Sequence, residues 1–89
     1  MADEEDWRLV FVLHLKDVEF RFQPWASLTP EWDHDHCTAC GVKIWNRPEI
    51  EGLSEGYATT ESFAKGPLYE WLCADCFADL QPVMGWVAL

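Results

Sequence analysis

Between Trp7 and Gln23 the chain alternates apolar and polar residues. Leu9, Phe11, Leu13 and Leu15 stand two apart, and so do Val18, Phe20 and Phe22. Arg8, Val10, Val12, His14 and Lys16 separate the first set; Glu19, Arg21 and Gln23 separate the second. Successive side chains of a strand point to opposite faces, so this pattern predicts a β-hairpin over residues 7–23. With Lys16-Asp17 as a two-residue turn, Leu15 lies opposite Val18, Leu13 opposite Phe20 and Phe11 opposite Phe22. His14 then meets Glu19 and Val12 meets Arg21 on the other face. The register is self-consistent, although Lys-Asp is not a favoured turn pair.

Residues 1–6 read as a solvated acidic lead-in. Residues 24–31 carry turn chemistry, and Thr29-Pro30-Glu31 suits the start of a single helical turn, with Thr29 as cap and Pro30 first. A short strand is expected at 42–45, followed by an acidic loop over 46–56. Residues 56–60 and 68–72 suit a second hairpin around 62–67. Residues 74–81 have helix-forming composition, with Phe77 and Leu80 three apart on one face and Pro82 as the stop. An apolar tail containing Trp86 ends the chain. No repeat or long linker divides it, so the expectation is one small α+β domain over residues 1–89.

With 89 residues there is room for one domain and a small core, and chains of this size are often stapled by a metal or by disulfides. All four cysteines fall into two Cys-x-x-Cys pairs, Cys37/Cys40 and Cys73/Cys76, separated by 32 residues. The N-terminus is acidic with no apolar run behind it, unlike a secretory signal, and Leu9 to Leu13 is too short to span a bilayer. A cytoplasmic, reducing setting is expected, where paired cysteines bind metal more often than they form disulfides. Zn²⁺ takes four tetrahedral ligands, and each pair supplies two from a tight turn. Gly41 follows the first pair, where a positive φ lets the chain turn and aim N–H groups at sulfur. The second pair lacks that glycine and runs into the predicted helix, whose N-terminus favours thiolates. Cys37, Cys40, Cys73 and Cys76 are therefore the expected ligands of one structural zinc ion. Rubredoxin-like iron would call for a glycine after both pairs, and no strand-helix-strand pattern supports a redox disulfide.

A knuckle followed by a helix-borne pair resembles the treble-clef zinc finger, with a zinc ribbon as the competing arrangement. The resemblance covers residues 37–81 and implies a hairpin between the two ligand pairs. Asp33-His34-Asp35-His36-Cys37, Glu55-Gly56-Tyr57-Ala58-Thr59 and Trp71-Leu72-Cys73-Ala74-Asp75-Cys76-Phe77 are also similar to segments of a group of small bacterial zinc-binding proteins. That second resemblance implies no activity.

Charge changes what such a finger is expected to do. Sixteen acidic residues face six basic ones, for a formal net charge of −10. Four thiolates and one Zn²⁺ would take it to about −12. Nucleic-acid binding needs a basic footprint, and the six basic residues are scattered singly. Asp33-His34-Asp35-His36 resembles the metal-binding run of treble-clef nucleases, which would make the chain a metal-dependent hydrolase. In those enzymes, however, the run follows the first cysteine pair, and no downstream histidine completes a site here. A histidine packed on the zinc site or hydrogen-bonded to a ligand is the simpler role. The six tryptophans suit core and zinc-site packing for four of them and an exposed interface anchor for the rest. The resulting expectation is a non-catalytic interaction module for a basic protein partner, of which an immunity, antitoxin or inhibitor protein is the sharpest form. The alternatives are the hydrolase and a nucleic-acid-binding finger.

Overall fold

The computed structural model describes residues 6–89, so most of the acidic lead-in lies outside the described residues. The first difference from the sequence pattern comes at once. Leu9–Val12 is a helical turn (α1), extended by a 3-10 turn over Leu13–Leu15, and no N-terminal hairpin forms. Leu9, Val12 and Leu15 are three apart and point inward, with Val12 and Leu15 fully buried. Phe11 and Leu13, assigned to the apolar face by alternation, are more than half exposed. The physical reason lies in Leu9-Val10-Phe11-Val12-Leu13, which is apolar at every position and satisfies a period of two or of three equally. No strong turn dipeptide at Lys16-Asp17 favours the hairpin. Asp17 instead takes a left-handed conformation (φ 61°), and Val18 N–H bonds back to Leu15 C=O at 3.1 Å.

The second half of the predicted hairpin is a real strand, β1 (Glu19–Pro24), with Phe20 fully buried as alternation requires. Its partners come from elsewhere. β4 (Glu55–Thr59) pairs with it antiparallel, with Phe20 opposite Thr59 and Phe22 opposite Tyr57. β6 (Val87–Ala88), from the apolar tail, pairs with it in parallel. The second hairpin forms as expected, between β4 and β5 (Trp71–Leu72), with Ala58 opposite Trp71. The sheet order is β5-β4-β1-β6, and a separate two-stranded ribbon joins β2 (Asp35–His36) to β3 (Lys43–Ile44).

Helix α2 covers Ala74–Met84 and runs past Pro82, which does not stop it. A proline so near the end forfeits one backbone bond and little else. Burial of Leu80 and Met84 keeps the last turn in place. The stop is Gly85, whose φ of 70° is left-handed and whose N–H reaches Gln81 C=O at 2.8 Å. The left-handed φ is what selects glycine at this position. The turn after Gly85 brings Trp86 into the core. Phe20, Phe77 and Trp86 meet with ring centroids 5.5–5.9 Å apart, and Tyr57 stacks on Phe77 at 3.8 Å. The Trp86 indole N–H donates to Leu15 C=O at 2.9 Å, tying the tail to the N-terminal turn.

The two readings of the N-terminal segment differ at Leu13 and Leu15, which share a face in a hairpin but not here. Leu15→Ala should cost about 2–5 kcal/mol in denaturant unfolding, as a fully buried leucine does. Leu13→Ala should stay within about 0.5 kcal/mol. Comparable losses at both positions would restore the hairpin. Phe20→Ala should cost about 3–5 kcal/mol, far more than Glu19→Ala.

Candidate metal centre

The first cysteine pair sits at the tip of the β2–β3 ribbon, where Asp35 pairs with Ile44 and His36 with Lys43. Cys37 N–H donates to Val42 C=O and Gly41 N–H to Cys37 C=O, both at 2.8 Å, closing a tight loop over residues 37–42. Gly41 has a φ of 85° and open space where a side chain would stand, so backbone conformation alone selects glycine there. The second pair opens α2. Cys73 is the N-cap residue, and its Sγ accepts the Cys76 N–H at 3.4 Å. A sulfur in this place fills a helix-start donor and sits at the positive end of the helix dipole.

Trp71 holds the two pairs together. It is fully buried, bridges to Cys37, and accepts the Thr38 N–H on its carbonyl at 2.8 Å. The knuckle is thus bonded to the strand that leads directly into Cys73. The Trp71 indole N–H is the single buried side-chain nitrogen or oxygen without a hydrogen-bond partner among the described residues. Such a group costs about 1–3 kcal/mol, which is small beside the burial of so large a ring.

All four cysteine Sγ atoms lie within 4.8 Å of one another, so Cys37, Cys40, Cys73 and Cys76 can hold a metal ion. Cys37, Cys73 and Cys76 are buried and Cys40 is exposed. Cys40 Sγ and Cys73 Sγ are 3.8 Å apart. That is far beyond a disulfide bond of about 2.05 Å, and it matches the edge of about 3.75 Å that follows from tetrahedral Zn–S bonds of about 2.3 Å. The ionisation of the thiols fits the same demand. Cys37 is held down by the neighbouring Cys73 thiol. Cys73 is pushed up because its proton serves Cys37, and burial raises Cys76 to about 11. One thiolate forms readily and then opposes the rest. Four together require a cation among them.

One ligand contact comes from outside the cysteine pairs. Arg8, just before α1, donates from Nη1 to Cys76 Sγ at 3.4 Å and to Asp79 Oδ2 at 3.2 Å. Its Nε and Nη2 bond the Asp6 carboxylate, and this pairing holds Asp6 down to about 2. A divalent ion with four thiolates keeps two negative charges, and Arg8 places a fixed positive charge against one of the sulfurs. Nothing in the sequence around Arg8 marks this role. His14 was missed in a similar way. Its Nε2 lies 2.6 Å from Glu70 Oε2, while Glu70 Oε1 accepts the Thr38 hydroxyl at 2.9 Å. Glu70 thereby ties the N-terminal turn to the knuckle.

The Asp33 to His36 run is put to other uses. Asp35 Oδ2 accepts the indole N–H groups of both Trp25 (3.0 Å) and Trp32 (2.9 Å), and burial raises the Asp35 pKa. Asp33 Oδ1 lies 2.5 Å from His34 Nδ1, an interaction that lowers the Asp33 pKa. His34 and His36 meet edge to face at 5.0 Å. Among the described residues, the four cysteines are the single group of three or more His, Cys, Asp or Glu side chains within metal-binding reach of one another.

Metal analysis should find about one divalent ion per chain, and Cys73→Ser or Cys76→Ser should leave a largely unfolded protein. Retention of both metal and melting temperature in either variant would remove these residues from the centre. His34→Ala and His36→Ala should leave metal content unchanged. Arg8→Ala should stay folded but lose metal to a competing chelator at roughly tenfold lower chelator concentration. Arg8→Lys should recover that only in part, because an ammonium cannot reach Cys76, Asp79 and Asp6 together.

Comparison with known proteins brings no relative to bear on this centre: no family model matches the chain, and no curated protein or solved structure matches it.

Proposed function

We infer that Cys37, Cys40, Cys73 and Cys76 hold one structural Zn²⁺ in a treble-clef-type finger over residues 37–81, and that the protein is a non-catalytic interaction module. The order of parts supports the treble clef: a knuckle on a short ribbon, a hairpin, then a helix that carries the second pair. The helix-borne pair also favours zinc over rubredoxin-like iron, for which two knuckles would be needed. With four thiolates in a tetrahedral shell, no position is left for a reacting water.

The observation that carries the interaction reading is an apolar face left outside an acidic protein. Trp7, Val10, Phe11 and Leu13 are each more than half exposed, in a chain of net charge −10. Trp7 and Phe11 meet edge to face and share a hollow of about 220 Å³ with the knuckle from Cys37 to Gly41. Exposed Trp side chains are typical interface hot spots, and the acidic field selects a basic partner. A small acidic protein of this kind is suited to neutralise a basic enzyme, as an immunity, antitoxin or inhibitor protein does. The charge that favours such a partner repels nucleic acid.

Affinity capture from extract of the source cell, with the metal-loaded protein as bait, tests this reading. A basic protein should be retained at low salt and released as ionic strength rises, with affinity falling by roughly tenfold or more. The double variant Trp7→Ala/Phe11→Ala should fold normally and fail to retain it. Recovery of no specific protein, or of one indifferent to both salt and the double variant, overturns it.

A further inference from the structure

Three of the six tryptophans are neither fully buried nor part of the α1 face, and one of them, Trp25, packs partly buried against the core. Trp25, Trp32 and Trp45 line one open cleft of about 460 Å³, with Pro30 between them and Asp33 and Arg47 at its rim. A cleft of this volume is within the range of small-ligand sites. It lies on the side of the β2–β3 ribbon and shares no lining residue with the hollow beside the knuckle.

The hydrogen bonding of the three rings determines what they can offer. The N–H groups of Trp25 and Trp32 both point to Asp35 Oδ2, and that of Trp45 donates to the Glu51 carbonyl at 2.7 Å. All three indole donors are already taken by the chain. The rings therefore offer the cleft no free N–H donor, and an anion or hydrogen-bond acceptor gains nothing from them. A cation gains the attraction of the negative ring faces. Trp45 already shows this preference, with Lys43 Nζ 3.5 Å from its ring centroid. Lys43 does not line the cleft, so the cleft meets another part of that ring. The shared anchor at Asp35 fixes two of the rings before any ligand arrives, which lowers the ordering cost of binding.

We propose that the Trp25–Trp32–Trp45 cleft binds a quaternary ammonium group. Asp33 supplies negative charge at the rim, and the net charge of −10 concentrates cations at the surface. A methylated ammonium fits better than a bare one for a reason of hydration. A bare ammonium is strongly hydrated and demands acceptors in exchange for its water; the indole walls provide none, which leaves it only the polar side chains Ser27, Asp33 and Asn46. A quaternary ammonium spreads its charge over methyl groups that pack on the rings and ask for no hydrogen bond. Arg47 is the opposing charge at the rim. This site is independent of the protein partner inferred above.

The test is a titration of the metal-loaded full chain, following the indole N–H resonances of the tryptophans. The probes are choline and Nα-acetyl-Nε-trimethyl-lysine amide, with 3,3-dimethylbutan-1-ol as the uncharged shape-match of choline. Saturable shifts are expected at Trp25, Trp32 and Trp45, with Trp71 and Trp86 unmoved. Both cations should bind at least about tenfold more tightly than the alcohol, since cation–π attraction in a desolvated site amounts to that ratio or more. The tighter of the two identifies whether the group arrives on a small molecule or on a lysine side chain. Trp32→Ala, a substitution at a partly exposed ring, should weaken binding roughly tenfold while metal content stays unchanged. Arg47→Ala should strengthen it. Equal affinity for choline and the alcohol, shifts spread over all six indoles, or binding that survives Trp32→Ala overturns the proposal. So does the absence of saturable binding in both the parent and Arg47→Ala.

Discussion

Convergence of four sulfurs on one point is the constraint that organises this chain. Cys37 and Cys40 lie on a ribbon tip, Cys73 and Cys76 on a helix start, and 32 residues separate the pairs. Each local structure is shaped for its own sulfurs: a left-handed glycine after Cys40, and a cysteine as the N-cap of α2. Neither pair gathers four ligands alone. The backbone bond from Thr38 to Trp71 makes the two halves register, because it places the knuckle against the last strand before Cys73. In a chain with so small a core, a centre that joins distant segments removes much of the freedom of the unfolded state.

The N-terminal segment supports that centre rather than standing apart from it. Arg8 reaches Cys76 and Asp79, while His14 reaches Glu70 and through it Thr38. Both contacts span more than fifty residues of sequence, and both bring positive or proton-donating groups to an acidic surround. The same segment buries Leu9, Val12 and Leu15 on one side and leaves Trp7, Val10, Phe11 and Leu13 outside on the other. A short helix can do both at once because residues three apart share a face while their neighbours point away. The exposed apolar face and the contacts to the cysteine cluster are thus two sides of one turn.

The tryptophans divide by the same logic. Trp71 and Trp86 are buried, the first beside the cysteines and the second in the aromatic cluster on Phe20 and Phe77. Trp25, Trp32 and Trp45 are bound at their N–H ends and line one cleft. Trp7 has neither constraint and stands at the surface. Within the run from Asp33 to His36, Asp35 accepts the N–H groups of two of these rings.

The metal centre was legible because ligand chemistry is local: two Cys-x-x-Cys turns announce themselves by spacing, and the residues after each show which is a knuckle and which a helix. The hairpin of β4 and β5 and the start of α2 were legible for the same reason. The N-terminal helical turn is not legible in the sequence because the apolar run Leu9 to Leu13 fits two periodicities. The choice between them depends on which strand pairs with β1. β4 takes one edge of β1, and β6 takes Glu19 and Phe20 on the other, next to where a hairpin turning at Lys16-Asp17 would begin its pairing. The end of α2 is not legible in the sequence because Pro82 is a local signal, whereas Met84 burial and the bond from Asp17 N–H to Met84 C=O are tertiary. The contacts of Arg8, the clamp at Glu70 and the cleft of three indoles have no sequence signature at all. Each depends on side chains brought together from separate elements, which only the packed chain decides.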